Sequence, residues 1–294
     1  MSAPSAELAS LASRLSSVAT FALAPVKPPA LELLVGVSEQ PPTATARQAA
    51  PASMKTRENT TQSLRESELA TLAGEIEGCR RCERLVAWRE QVARERRAAY
   101  AGETYWGRPL PGFGDPAARI AVLGLAPAAH GGNRTGRVFT GDRSGDFLFA
   151  ALWRAALANQ PSSLARNDGL ALRDAWVLAA VRCAPPANKP TPQERDNCLP
   201  FAVRELALLP ELRVIVCLGA FAWDAALRLL ALAGRPPLRP RPRFGHGVEA
   251  APLIGCFHPS QQNTFTGRLT EPMMDAVFAR AQELAEHAPA IGAL

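Results

Sequence analysis

Four short apolar runs stand out along the chain: Arg119–Leu125 (RIAVLGL), Ala175–Val181 (AWVLAAV), Arg213–Gly219 (RVIVCLG) and Pro252–Phe257 (PLIGCF). None alternates with polar residues, the pattern expected of strands covered on both faces. Between and after them the apolar spacing turns helical, over Gly145–Ala158, Thr191–Leu209, Ala220–Ala233 and Glu271–His287. Strands alternating with helices predict an α/β fold: a parallel sheet with helices on both sides. The first helical period begins near Ser63, where Leu64, Leu69, Leu72 and Ile76 fall close to one face. Residues 1–62 are rich in Ala, Ser, Thr and Pro and lack a sustained period. They read as a mobile extension, with room for a short helix over Ala6–Leu23, ahead of one domain at 63–290.

In open α/β sheets the site forms at the carboxyl ends of the strands. Chemistry should therefore follow the runs, and it does. After the first comes Ala126–Asp142, dense in glycine and polar residues; after the second, Arg182–Pro190; after the fourth, His258–Phe265. The third is followed only by Gly219-Ala-Phe, which reads as a tight entry to a helix.

Composition narrows the class. The 294 residues are 47% hydrophobic and 20% charged, as in soluble globular proteins, and the net charge of +6 favours a polyanionic partner. No apolar run approaches the ~20 residues of a membrane-spanning helix, and Val18–Val26 is short and broken by Thr20 and Pro25. With Glu7 ahead of that stretch and no basic segment before it, a secretory signal is not expected. A soluble cytoplasmic protein, associated with the nucleoid if DNA is the partner, fits these features.

Six cysteines could make three disulfides, but a chain of this size with a real core does not need staples, and their spacing suggests ligands. Cys79 and Cys82 form a CxxC pair after the first helix; Cys183 and Cys198 flank the exit of the second strand. Four thiolates suit zinc or an iron–sulfur cluster, and spacing alone does not choose. Cys217 and Cys256 sit inside apolar strands and read as core. Arginines concentrate at 79–97, with seven against three glutamates, and at 235–243, with four among prolines. Either run alone reads as a solvated face; together they lean towards a nucleic-acid backbone. His258 opens the loop after the fourth strand, facing the same crevice as Asn188 and Phe139, whereas His130, His246 and His287 have weaker settings. No GxSxG elbow follows a strand, which argues against a Ser-His-Asp hydrolase.

Three segments, GLAPAAHGGNRTGRVFTGD (Gly124–Asp142), RCAPPANKP (Arg182–Pro190) and HPSQQNTFTGRLT (His258–Thr270), in this order and with the four cysteines, resemble the uracil-DNA glycosylase superfamily. The resemblance is to its family 5, the iron–sulfur or B-type branch, and covers about Gly78 to Ala285. It implies a three-layer α/β/α sandwich around a four-stranded parallel sheet. It also implies a [4Fe–4S] cluster on Cys79, Cys82, Cys183 and Cys198. Phe139 matches the ring that stacks on the extruded base, with Gly124, Leu125 and Ala126 beside it in the base site. Asn188 matches the amide that reads the uracil edge, and His258 the donor to uracil O2.

Other branches carry a carboxylate or amide at or beside Ala126 to orient water, and family 5 shares its absence. Excision is then expected to be largely dissociative, with the base leaving first as a stabilised anion. Asn133, Asp142 and Asp146 are the nearest polar candidates to position water, Asp142 and Asp146 being read first as caps of the helix near Gly145. The resemblance places the DNA wedge within Gln261–Arg268. Gln261, Gln262, Asn263 and Arg268, with Arg239, Arg241 and Arg243, are the expected DNA contacts. The expected product is an abasic site, from a monomer acting on uracil, and on hypoxanthine or xanthine, in double- or single-stranded DNA. The rival reading is a non-catalytic nucleic-acid-binding module whose four-cysteine site, perhaps for zinc, is structural.

Overall fold

Alternation within each strand decides which of two cores a side chain enters. In β2 (Ile120–Gly124), Ile120 and Val122 enter one core while Ala121 and Leu123 enter the other. In β4 (Val214–Leu218), Val214, Val216 and Leu218 face the first core, Ile215 and Cys217 the second. Both faces are therefore dry, which explains the unbroken apolar runs. The computed structural model describes residues 52–291.

The sheet has six strands in the order β1-β3-β2-β4-β6-β5. Its four inner strands, β3 (Ala175–Ala179), β2, β4 and β6 (Leu253–Cys256), are parallel, as the apolar runs predict. The edges are two-residue antiparallel strands, β1 (Phe113–Gly114) on β3 and β5 (Glu249–Ala250) on β6. Two residues carry no period, so these edges are invisible in the pattern. From β2 the chain steps to β3 on one side, and from β4 to β6 on the other. The switch point lies between β2 and β4, and a crevice opens there.

Helices α4 (Arg143–Arg154) and α8 (Glu271–His287) cover one face, and α5 (Pro192–Ala207) and α6 (Ala220–Leu232) the other. Helix α1 (Ala52–Glu77) packs on α5. It begins ahead of Ser63, so the extension expected over 1–62 gives way to helix at Ala52; residues 1–51, including Ala6–Leu23, lie outside the described residues. Leu69, Leu72 and Ile76 are buried as expected, but Leu64 is exposed, a full turn too early to reach the core. The other α-helices among the described residues are α2 (Glu83–Glu95) and the short α3 (Gly132–Thr135) and α7 (Gln261–Phe265). Among the described residues no helix is long and apolar enough to cross a membrane.

The start of α5 is set locally. Thr191 Oγ1 accepts the Glu194 amide, Glu194 accepts the Thr191 amide at 2.7 Å, and Pro192 fills the first helical position. Glu194 also holds Arg84 of α2 at 2.8 and 2.7 Å, tying α2 to the sheet domain.

Candidate active site

A cleft of about 620 Å³ opens at the switch point, lined by segments that follow three strands. Leu125, Ala126, Pro127 and Ala128 come from the exit of β2, with Phe139, Asp142, Arg143 and Ser144 further along the same segment. Asn188 comes from the loop after β3; His258, Ser260, Gln261 and Gln262 follow β6. Arg143, Ser144 and Ser260 were not singled out by sequence, although each stands inside or next to a motif that was.

Glycines let the walls close. A Cβ on Gly124 would stand 2.5 Å from the Phe139 ring, and one on Gly145 would collide with the Phe139 carbonyl oxygen. The Phe139 backbone itself sits at φ 52°, and Ala187 and Asn188 at 52° and 55°. A left-handed conformation in three non-glycine residues around one cleft is strain held by the surroundings. The Phe139 and His258 rings lie 6.0 Å apart, tilted by 35°, and a Cβ on Gly219, at the head of α6, would stand 3.2 Å from the His258 Cβ. The His258 carbonyl accepts the Ser260 amide and the Asn263 side-chain amide, both at 2.8 Å, which pins the loop from inside. Burial lowers the His258 pKa to about 4, so the ring is a neutral imidazole at physiological pH.

Not every expected residue reaches the cleft. Asn133 is buried in α3, where its Nδ2 donates to the Arg89 carbonyl at 3.2 Å; it joins α3 to α2 and does not line the cleft. Gly124 lies beneath Phe139 rather than at the surface. Asp142 caps α4, its Oδ1 accepting the Gly145 amide at 3.0 Å, and Asp146 lies in the first turn. Gln261 and Gln262 are exposed at the mouth, whereas the Asn263 side chain is spent on His258. Arg268 lies over the Phe257 ring, 4.8 Å from its centroid. Phe265, at the end of α7, is 67% exposed with Arg143 over its ring at 5.3 Å. His130 bonds the Tyr105 hydroxyl at 3.0 Å, and His246 accepts the Phe257 amide, both structural roles.

The arginine run at 79–97 is largely committed inside the protein rather than to phosphate. Arg80 pairs with Glu90, Arg84 with Glu194, and Arg81 lies over Phe201. Arg89 is only 2% exposed: it donates to Cys183 Sγ at 2.9 Å and to the Cys79 carbonyl at 3.1 Å. In the proline-rich run, Arg241 pairs with Asp224 at 2.6 Å, while Arg239 and Arg243 are exposed.

Cys79, Cys82, Cys183 and Cys198 line one small enclosed cavity, with Arg89, Arg182 and Asn197 in its wall. Asn197 Nδ2 lies 3.4 Å from Cys82 Sγ. Burial pushes the Cys183 thiol up to about 12, against the nearby Arg89 guanidinium, and Cys198 to about 11. Arg89 Nε, Arg182 Nε and Arg182 Nη1 are buried without an acceptor. Orphaned cationic donors around four sulfurs fit an anionic group bound at the thiolates. Among the described residues, no three His, Cys, Asp or Glu side chains converge as one metal ion would require. Cys217 and Cys256 are wholly buried in the two cores, away from this cavity.

A mostly parallel sheet thus carries a cleft at its switch point and, separately, a cavity lined by four cysteines. The model of the uracil DNA glycosylase superfamily matches residues 111–282. The chain belongs to that superfamily, in its type 5 branch. It is similar to a type-5 uracil-DNA glycosylase of Mycobacterium bovis, 55% identical over 71% of this chain and 79% of that protein. A type-5 enzyme of Mycobacterium leprae is 53% identical over 73% of this chain and 94% of its own length. One from Thermus thermophilus is 50% identical over 71% and 95%.

Proposed function

We propose that the cleft takes up a uracil swung out of DNA and cuts its N-glycosidic bond by stabilising the departing base. The chain is a uracil-DNA glycosylase, a DNA-repair hydrolase of N-glycosyl bonds, and the non-catalytic rival falls with that. The observation that carries the finer reading is the meeting of Phe139, Asn188 and a neutral His258 in one cleft. Phe139 offers a face for stacking on the base, an interaction of ~1–3 kcal/mol. Asn188 can accept from N3–H with its oxygen and donate to O4 with its NH₂. His258 donates a neutral N–H towards O2, where negative charge grows as the bond breaks; a cationic imidazolium is not required.

Opening the helix needs a side chain to fill the gap left by the base. Phe265, exposed on α7 and next to the cleft residue Arg143, is suited to that place. Acceptance of hypoxanthine and xanthine as well follows from the resemblance to family 5. The enzyme acts as a monomer at the nucleoid in the cytoplasm. Cys79, Cys82, Cys183 and Cys198 would hold a [4Fe–4S] cluster, which when bound serves as a structural anchor; the orphaned Arg89 and Arg182 donors suit its negative charge.

Single-turnover excision from duplexes carrying uracil, hypoxanthine or xanthine tests the reading. His258→Ala should slow the chemical step by ~10²–10³ with DNA binding kept, the usual effect of losing one such donor. Near wild-type excision by that variant would remove the histidine from the mechanism.

A further inference from the structure

The cleft has no side chain at Ala126 to handle water, and Asn133 lies outside it. Among the residues that line it, Asp142 is the one carboxylate. Its Oδ1 is fixed by the Gly145 amide at 3.0 Å. Its Oδ2 lies over Gly131, where any side chain would collide with it. The chain therefore leaves a position bare so that this carboxylate can sit where it does.

The charge of Asp142 is not neutralised within the protein. Among the described residues no lysine or arginine forms an ion pair with it: Arg134, a cation that acts on it electrostatically, is engaged by Glu103, the Gly141 carbonyl and the His130 carbonyl. Arg143, next in the chain, lies over Phe265. The backbone amides of Gly145 and Ser144 offset only part of the cost of a half-buried carboxylate without a counter-ion. A cation in the cleft would complete it, and a dissociative excision makes one at the sugar.

We propose that Asp142 is a catalytic residue: it faces the cationic sugar and takes the proton of the attacking water. The step balances. The C1′–N bond breaks and its electron pair leaves with the base, to be protonated from solvent. A water lone pair forms the C1′–O bond, and the water's proton passes to the Asp142 carboxylate and on to solvent. Burial raises the Asp142 pKa, which makes it a better base than an exposed aspartate. This rests on the cleft being the excision site, which wild-type and His258→Ala turnover tests on its own.

Capping and catalysis separate in Asp142→Asn, because asparagine caps as well as aspartate but carries no charge and takes no proton. The readouts are single-turnover uracil excision, duplex affinity and thermal unfolding. The expected result is excision slowed about 100-fold or more, with affinity and unfolding temperature unchanged. Excision within about threefold of wild type would overturn the proposal and leave Asp142 a cap. Should the asparagine variant fail to fold, Asp142→Ser, another good cap, is read by the same criterion.

Discussion

The four-cysteine cavity and the cleft at the switch point lie in one domain and are built by opposite means. The cavity is small and enclosed, and the groups in and around it are braced by ion pairs and hydrogen bonds: Arg84 on Glu194, Arg89 on Cys183, Arg182 on Glu205. The cleft is open, and two of its key residues, Phe139 and Asn188, sit in left-handed backbone. One region spends its interactions on rigidity and the other stores strain, and strain persists only where neighbours over-determine it. The connection from β3 to α5 shows how the two are joined. It runs from Cys183 through Asn188 to the Thr191 cap, and α5 then carries Cys198. Arg84, which holds Glu194, also donates to the Lys189 carbonyl at 3.1 Å, next to Asn188. The rigid region thus anchors the strained one at both ends of that loop.

The largest effect should follow from breaking the anchor. Cys183→Ser is expected to bleach the protein near 400 nm, an approximate figure for cluster thiolate absorption, and to lower stability by about 4 kcal/mol or more. In a domain of this size that is a fall in Tm of ~10 °C. Cys217→Ala should keep its colour and show only the smaller loss from a cavity left in the core. A variant at Cys183 that stayed coloured and stable would unseat it as a ligand and dissolve the contrast between the regions.

A smaller and more local effect comes from the cleft. Gly145→Ala puts a methyl group against the Phe139 carbonyl, so the Phe139 segment must move. Overpacking of this kind costs ~1–3 kcal/mol, and a displaced stacking ring should reduce excision about tenfold while the cluster colour stays. If excision were unaffected, the Phe139 backbone would not be held by Gly145, and the strain would have no part in placing the base.

Most of the frame was legible in the apolar pattern, because short β-rich runs without polar alternation, set between helical periods, read as strands with two dry faces. The inner four strands and the helices that cover them emerge where expected, within a few residues at each end. The site was legible in kind, since the segments after β2, β3 and β6 do meet. What could not be read was side-chain direction. Asn133 stands in the densest motif yet turns inward to Arg89, and Arg89 stands in a basic run yet is buried on Cys183. Linear charge density cannot tell an arginine facing solvent from one facing a thiol. The dual setting of Asp142, cap and cleft wall, is likewise a matter of which way two oxygens point.

The smallest effect concerns the approach of DNA, and it sets solvent-facing arginines against committed ones. A phosphate contact from an exposed arginine releases a counter-ion, so each one removed should flatten the plot of log affinity against log salt by ~0.9. Arg239→Gln and Arg243→Gln should each do this, alike for all sequences, because backbone contacts carry no base information. Arg241 already pairs with Asp224 at 2.6 Å, so DNA must compete for it and Arg241→Gln should change the slope less. Arg84→Gln should leave the slope nearly untouched, since its charge is held by Glu194, while loosening the loop that carries Asn188. Salt titrations of these four variants on one duplex rank the arginines directly. Equal slopes for Arg239→Gln and the wild type would return the proline-rich loop to an ordinary solvated surface, and a large change for Arg84→Gln would place DNA on the four-cysteine side of the molecule.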